Sequence, residues 1–443
     1  MHLLSLPRHQ IETTFSDYAR IAGSLVGLRP REDTVAQFEQ DFAEYIGCRH
    51  AIAVSSGRLG IHLILEALGL NPGDEVIVPS FNLFAVIERF CQLGLVPRFA
   101  DIRRDDLNVD PSAAERLHTT RSKVLLVTHM FGHPADMDSL VAFSEEHNLV
   151  LLEDCAHALG SKFGERFVGT FGQASIFSFS VLKLVTTFGG GMIATNDDDL
   201  ARRLRRRLTA LRFHQPRPTG LKRAVTGAVM DFATRKVVFS VGAWPVLRLL
   251  RAMRPNIQQR MMTEAPHVDR DFDPEHVPPL HPFQARLGRS QLARAEDFIE
   301  RRRQVGRWLD EELAGVPQVT LLKPSATGRH NGLYYGVLVD RPAELSAFLF
   351  RRGIDSETSE YLNCADLEMY RTYHVDCPVA RDVQSHILRL PNYPSLTRRD
   401  VRRIGDAMRR FYATSQPPVT GDRSCPPVPP PLVAPLARVS AHE

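Results

Sequence analysis

Two periodicities alternate along the chain from Thr34 to about Asp199. In VAQFEQDFAEYI (35–46) the apolar Val35, Phe38, Phe42 and Ile46 recur at helical spacing, and Gly47 follows where a helix-ending glycine belongs. AIAVSS (51–56) then predicts a short strand, and LGIHLILEALGL (59–70) a helix stopped by the turn NPGD. VIVPS (76–80), VPRFAD (96–101), KVLLVTHM (123–130) and LVLLED (149–154) follow as apolar strand runs, several of them separated by helical stretches. Such alternation predicts an α/β fold around a mostly parallel central sheet.

A second α/β region begins near Gln284, with a long helix expected over 284–314, a strand at YYGVLVD, a helix around LSAFLF and a last helix around DVRRIGDAMRRFY. Past Ala413 the Pro-rich composition cannot bury apolar surface and predicts a disordered tail. The expected division is an N-terminal arm (1–33), a large α/β domain (34–214), a basic apolar insert (215–279), a smaller C-terminal α/β domain (280–413) and the tail (414–443).

Length and composition narrow this picture. At about 150 residues per domain, 443 residues suit two or three domains. The 43% hydrophobic and 24% charged residues exclude a disordered or collagen-like chain. A net charge of +4 is too small to imply nucleic-acid binding unless it is concentrated. The six cysteines are scattered without a CxxC pair, so neither a disulfide framework nor a zinc knuckle is indicated, and a reducing cytoplasm is expected. The N-terminal apolar patch, broken by proline and charge, does not form an export signal.

Three elements carry candidate chemistry, because ligands of open α/β sheets bind beyond the carboxyl ends of the strands. SSGR (55–58) joins a strand to a helix N-terminus, a place for a phosphate, with Gly57 permitting close approach; a plain tight turn reads the same way. LVLLEDCAHALG puts Asp154 at the end of an apolar strand, where an acid is costly unless paired, or where it caps a following helix. SIFSFSVLKLVTTFGGGM puts Lys183 just past another strand, in a place where a lysine is ordinarily a solvated charge. Together they supply what pyridoxal 5′-phosphate needs: a phosphate cradle, a carboxylate for the pyridinium nitrogen and an amine for the Schiff base.

The stretches SSG, NPGDEVIVPSF, HMFGHPADMDSL, LEDCAHALGSKFGERFVGTFG, FSFSVLK and GGGMIATND resemble the DegT/DnrJ/EryC1/StrS aminotransferases. The likeness resumes at QARLGRSQLARAEDFIERRR, CPVARDV and ILRLPNYPSLT, covering most of residues 35–410. It implies a fold-type-I (aspartate aminotransferase-like) pyridoxal-phosphate transferase, a homodimer whose site spans two subunits, and amination of a keto group, typically on a nucleotide-linked sugar in polysaccharide biosynthesis. L-Glutamate or L-glutamine would be the amino donor. The resemblance makes Lys183 the internal-aldimine lysine and proton-shifting base, and Asp154 the pyridinium partner. His157 would lie near the cofactor's phenolic oxygen, and Ser178, Ser56 and Gly57 on its phosphate.

The chain also departs from that pattern. Arg58 follows SSG where Thr is usual, and is expected on the phosphate. Leu83 occupies the position of the ring-stacking aromatic, beside Phe81 and Phe84. Leu184 replaces an Asn, and Phe188-Gly189-Gly190-Gly191 replaces a Gly-Glu-Gly-Gly. His129 and His133 are spaced like a metal pair but flank a Gly-Pro loop without a third ligand, so no metal is expected.

Between about Gln215 and Pro279 the family's short Asn-Tyr-Arg segment is missing. In its place, residues 215–260 carry nine basic residues (Arg217, Lys222, Arg223, Arg235, Lys236, Arg248, Arg251, Arg254, Arg260) and one acid, Asp231. VVFSVGAWPVL is far shorter than the ~20 residues of a membrane span. Apolar residues and Trp244 among so many cations match a segment lying on anionic lipid through 217–254, at the inner face of the membrane; a helical extension packed on its own dimer is the plainer reading. Two rival functions follow. A sugar dehydratase of the same family would carry histidine at Lys183, and a non-catalytic docking member would bind no cofactor.

Overall fold

The computed structural model describes residues 4–25, 34–211, 218–253, 279–358 and 360–414. The expected tail, the ends of the insert (215–217 and 254–278, with Arg217, Arg254 and Arg260) and part of the arm lie outside these residues. The helices α1 (Phe15–Leu25) and α2 (Thr34–Ile46) lead into β1 (His50–Val54), α3 (Gly57–Leu68), β2 (Glu75–Pro79), α4 (Phe84–Gln92) and β3 (Val96–Ala100). Next come α5 (Pro111–Leu117), β4 (Ser122–Thr128), α6 (Met137–Glu146), β5 (Val150–Asp154), β6 (Ala174–Ser178), β7 (Gly191–Thr195) and α7 (Asp198–Ala210).

These seven strands form one sheet in the order β1-β7-β6-β5-β4-β2-β3. All neighbours run parallel except β7, which is antiparallel to both β1 and β6. β2 and β7 are buried along their whole length, as expected of strands covered on both faces. The consequence for function is directional. The carboxyl ends of β1, β4, β5 and β6 and the start of β7 meet along one edge of the sheet.

A second, all-antiparallel sheet combines β8 (Val319–Leu321), β9 (Tyr335–Val339), β10 (Glu357–Thr358) and β11 (Ile387–Leu390) in the order β8-β9-β11-β10. The single long helix expected over 284–314 is two: α10 (Pro282–Leu292) and α11 (Ala295–Leu313), interrupted at Ala293–Arg294. The allegiance changes within α11, past the break, since Ala295 and Ile299 still join the core of the large sheet. Gly288 of α10 lies so close to Phe38 of α2 that a Cβ there would come within 2.4 Å of the ring, whereas Val305, Leu309 and Leu313 of α11 join the core of the small sheet. That sheet's other helices are α12 (Pro342–Arg351), α13 (Pro378–His386) and α14 (Arg398–Thr414).

The stretch expected as an insert is helical where it is described: α8 (Pro218–Thr234), then a short helical turn, a π-helical turn at Phe239–Ala243, and α9 (Trp244–Met253). The widened turn immediately precedes Pro245, which has no N–H to continue the ladder. Trp244, expected among lipid-facing side chains, is instead buried, its ring 4.1 Å from that of Phe350 on α12. A large aromatic gains more from that stack than from an exposed face.

Phe188 accounts for both a departure in the loop after Lys183 and the position of α8. It sits at a φ of 59° and is buried in a cluster with Ile11, Ile21, Ala224, Phe283 and Leu287. A Cβ at Gly227 of α8 would fall 2.1 Å from its Cγ. Replacing Gly227 with leucine should therefore push Phe188 out and disturb the loop that bears Lys183. We expect a cost of about 1–3 kcal/mol, read as a lower Tm together with weaker retention of pyridoxal phosphate in a titration.

Candidate active site

At the end of β5 the pleat separates two adjacent acids. Glu153 turns to one face, where it accepts the backbone N–H groups of Gly169, Phe171 and Gly172 and faces His129 Nε2 at 3.1 Å. Asp154 turns to the other. Its Oδ1 accepts the N–H of Ala156 at 2.9 Å, within a turn and not at the head of a helix, because residues 155–160 form no helix. Burial raises its pKa, against the pull of the Ala156 N–H, the Lys183 ammonium and His129.

Lys183 lies between β6 and β7, in a turn closed by its own N–H to the carbonyl of Ser180. Its Nζ makes no ion pair among the described residues and stands 5.9 Å from the centre of the Tyr334 ring. Burial, helped by Arg389, pushes the amine down to about 8, against Glu360 and Asp154, which favour the cation. A lysine with that pKa is a usable nucleophile and base at neutral pH.

The opposite wall is the N-terminus of α3. Ser56 caps it, its Oγ accepting the N–H of Leu59 at 3.2 Å, and the earlier N–H groups of the turn have no intrahelical acceptor. A Cβ at Gly57 would stand 3.6 Å from that of Ser178, so the missing side chain leaves a cradle between the helix end and β6. Gly191 lets this edge close: a Cβ there would meet the Gly57 nitrogen at 2.9 Å and the Phe177 carbonyl oxygen at 2.7 Å. Arg58 lies on the first helical turn, half-exposed. These residues fit a phosphate at the helix N-terminus, with the carboxylate and the amine on the same carboxyl edge of the sheet.

His157 is buried among the rings of Phe131, Tyr334 and Tyr361. Its Nδ1 accepts the Phe131 N–H at 3.3 Å, so Nε2 carries the hydrogen toward Tyr361 Oη at 2.7 Å. Burial and the cations Lys183 and Arg389 push its pKa well below the usual value, so it is neutral. Phe81 and Phe84, offered by the sequence as stand-ins for a stacking ring, are fully buried, and Leu83 alone of the three keeps exposed surface. His129 and His133 do not converge. His129 Nδ1 accepts the Ala135 N–H while Nε2 faces Glu153, and the ring of His133 lies 5.0 Å from that of His330. His129, Glu153 and Cys155 have ligand atoms within 4.8 Å of one another, but the imidazole nitrogens and carboxylate oxygens there already make the hydrogen bonds given above.

The sequence analysis did not single out four residues of the site: Tyr334, Glu360, Tyr361 and Arg389. The Arg389 guanidinium carbon lies 4.7 Å from the centre of the Tyr334 ring, and its Nη2 pairs with Glu357 and, at 3.8 Å, Glu360. Although burial opposes it, Arg389 and Arg8 hold Glu357 well below the ordinary carboxylate range. These residues come from the small sheet and its loops, so only the tertiary fold brings them to Lys183. The one hint was Arg389 itself, a lone charge in the apolar run ILRL.

The model of the DegT/DnrJ/EryC1/StrS aminotransferase family matches residues 27–247 and 279–409. The chain belongs to that family. It is an enzyme of the pyridoxal-phosphate-dependent aminotransferase class, with the fold-type-I architecture expected from the sequence. It is 29% identical over 388 residues to the spore coat polysaccharide biosynthesis protein SpsC of Bacillus subtilis (strain 168), covering 85% of this chain and 88% of that one. Among solved structures it is similar to DesI, crystallised with its TDP-sugar product (TM-score 0.72, 26% identity, 94% of each chain). It is also similar to S. venezuelae DesV, solved with a ketimine intermediate (TM-score 0.71, 28% identity, 90% of this chain and 95% of that one). This sugar aminotransferase kinship makes the docking-only reading unnecessary.

Proposed function

We propose that this enzyme transfers an amino group from L-glutamate or L-glutamine to a keto group of a nucleotide-linked sugar, using pyridoxal 5′-phosphate held by the residues described above. The observation that carries the reading is that Asp154, Lys183 and the Ser56–Gly57–Ser178 cradle gather along the same carboxyl edge of the sheet. When bound, the cofactor supplies an electron sink and a carrier for the amino group.

The chain's own residues do the rest. The α3 N-terminus, Ser56, Gly57, Arg58 and Ser178 hold the phosphate, and Asp154 keeps the ring nitrogen protonated. Lys183 would hold the cofactor's aldehyde end, and its Nζ, lowered to about 8, would be the base that takes up and returns a proton there. Neutral His157, oriented by Tyr361, presents its ring at the same pocket, and Leu83 offers apolar contact where the family stacks an aromatic. Lysine at 183 disfavours the dehydratase alternative. A homodimer and a cytoplasmic location belong to the same reading, supported by the family resemblance; no helix among the described residues is long and apolar enough to cross a membrane.

The test is spectroscopic. The purified protein loaded with pyridoxal phosphate should be yellow and should bleach with L-glutamate or L-glutamine. The colour should then return with a nucleotide-linked keto sugar and not with the same keto sugar lacking the nucleotide. A protein that neither takes up the cofactor nor bleaches with either donor overturns the proposal.

A further inference from the structure

Eleven large apolar side chains are exposed among the described residues, and nine of them lie between Leu221 and Met253. On α8, Leu221, Val225, Val229 and Phe232 follow one another at helical spacing, each between 53% and 62% exposed. Val246 and Leu249 are exposed on α9 as well, 55% and 63%. The opposite side of α8 is satisfied, with Ala224 buried against the cluster around Phe188 and Gly227 in contact with that ring. The helix is therefore apolar on its buried side and on an outer stripe too, which internal packing alone does not require.

Charge decides what suits this face. Lys222, Arg223 and Arg248 have no acidic partner among the described residues, and Lys222 and Arg248 are exposed. The segment's only acid, Asp231, is fully buried and spent on Thr13, Tyr18 and Arg235. A second copy seated on the same stripe through a two-fold axis would bring the exposed, unneutralised Lys222 and Arg248 into one interface with those of its partner. An anionic lipid surface takes both components, apolar side chains into the acyl boundary and cations onto the headgroups.

We propose that the α8–α9 face docks this enzyme on an anionic lipid surface, independently of the reaction it catalyses. Docking would hold the enzyme beside a membrane without inserting a span.

The experiment is co-sedimentation of the full chain, loaded with pyridoxal phosphate, with vesicles of phosphatidylcholine alone or mixed with an equal part of phosphatidylglycerol. We expect pelleting only with the phosphatidylglycerol vesicles, weakened in high salt. The variants Val229→Asp/Phe232→Asp and Lys222→Glu/Arg248→Glu should each reduce bound protein by at least about tenfold. Unchanged melting and cofactor colour would show that both remain folded. Absence of pelleting with phosphatidylglycerol vesicles overturns the proposal, as does binding that both variants retain. Absence of pelleting joined to a smaller particle in gel filtration for Val229→Asp/Phe232→Asp would also overturn it, and would assign the stripe to a second copy.

Discussion

Replacing Lys183 with alanine should remove transamination almost entirely, by at least about 10⁴-fold in kcat/KM, since one amine supplies both the nucleophile and the proton carrier. The variant should still fold, because Lys183 makes no ion pair among the described residues and burial opposes its charge. The melting curve of the cofactor-free form should match or exceed that of the parent, while the yellow colour fails to develop. The pH profile gives a second reading. Only the neutral amine attacks a carbonyl, so cofactor capture by the cofactor-free parent should speed up with rising pH and level off above about 8. An ordinary lysine would keep accelerating toward ~10.4. A plateau there instead would mean that the amine is not buried as described.

Asp154→Asn should separate catalysis from stability. Without the carboxylate the ring nitrogen loses its ionic partner, and kcat should fall roughly 10²–10³-fold, the scale of a lost preorganised electrostatic contact. The sign of the stability effect runs the other way. The folded-state pKa of Asp154 is raised by burial, so folding favours its protonated form, and the ionised form costs stability as pH rises through that folded value. At neutral pH the cofactor-free Asp154→Asn protein should therefore melt no lower than the parent, whereas the gain in Tm on adding pyridoxal phosphate should shrink. Thermal melts of both proteins with and without cofactor check this. A cofactor-free variant that melts well below the parent would show that Asp154 chiefly holds the fold together.

Legibility differed from one residue to another for physical reasons. Asp154 stood out because an ionisable group ending the run LVLLED is costly anywhere but at a site, and the preference of α/β sheets for binding at carboxyl strand ends told where that site would be. The same rule drew attention to the SSG turn and to Lys183. Glu153, equally acidic and adjacent, could be set apart only in three dimensions, where it collects backbone N–H groups from residues 169, 171 and 172. The helix break at Ala293–Arg294 was similarly invisible, since apolar spacing continues through it, and the handover from the large core at Ile299 to the small-sheet core at Val305 is set by neighbours distant in sequence.

Local spacing, motifs and composition carry the alternation of strands and helices, the family and the concentration of positive charge after residue 215, and they point to the carboxyl edge of the sheet as the candidate site. Tertiary structure alone decided the rest. It brought Tyr334, Glu360, Tyr361 and Arg389 to Lys183 from more than a hundred residues away, since long-range proximity leaves no local period. It joined Phe188 to Gly227, because a glycine's packing role is defined by the ring that fills its space. Finally it sorted the apolar residues of the insert, burying Trp244 and leaving Val229 and Phe232 exposed, a choice made by the neighbours each side chain finds and not by its own hydrophobicity.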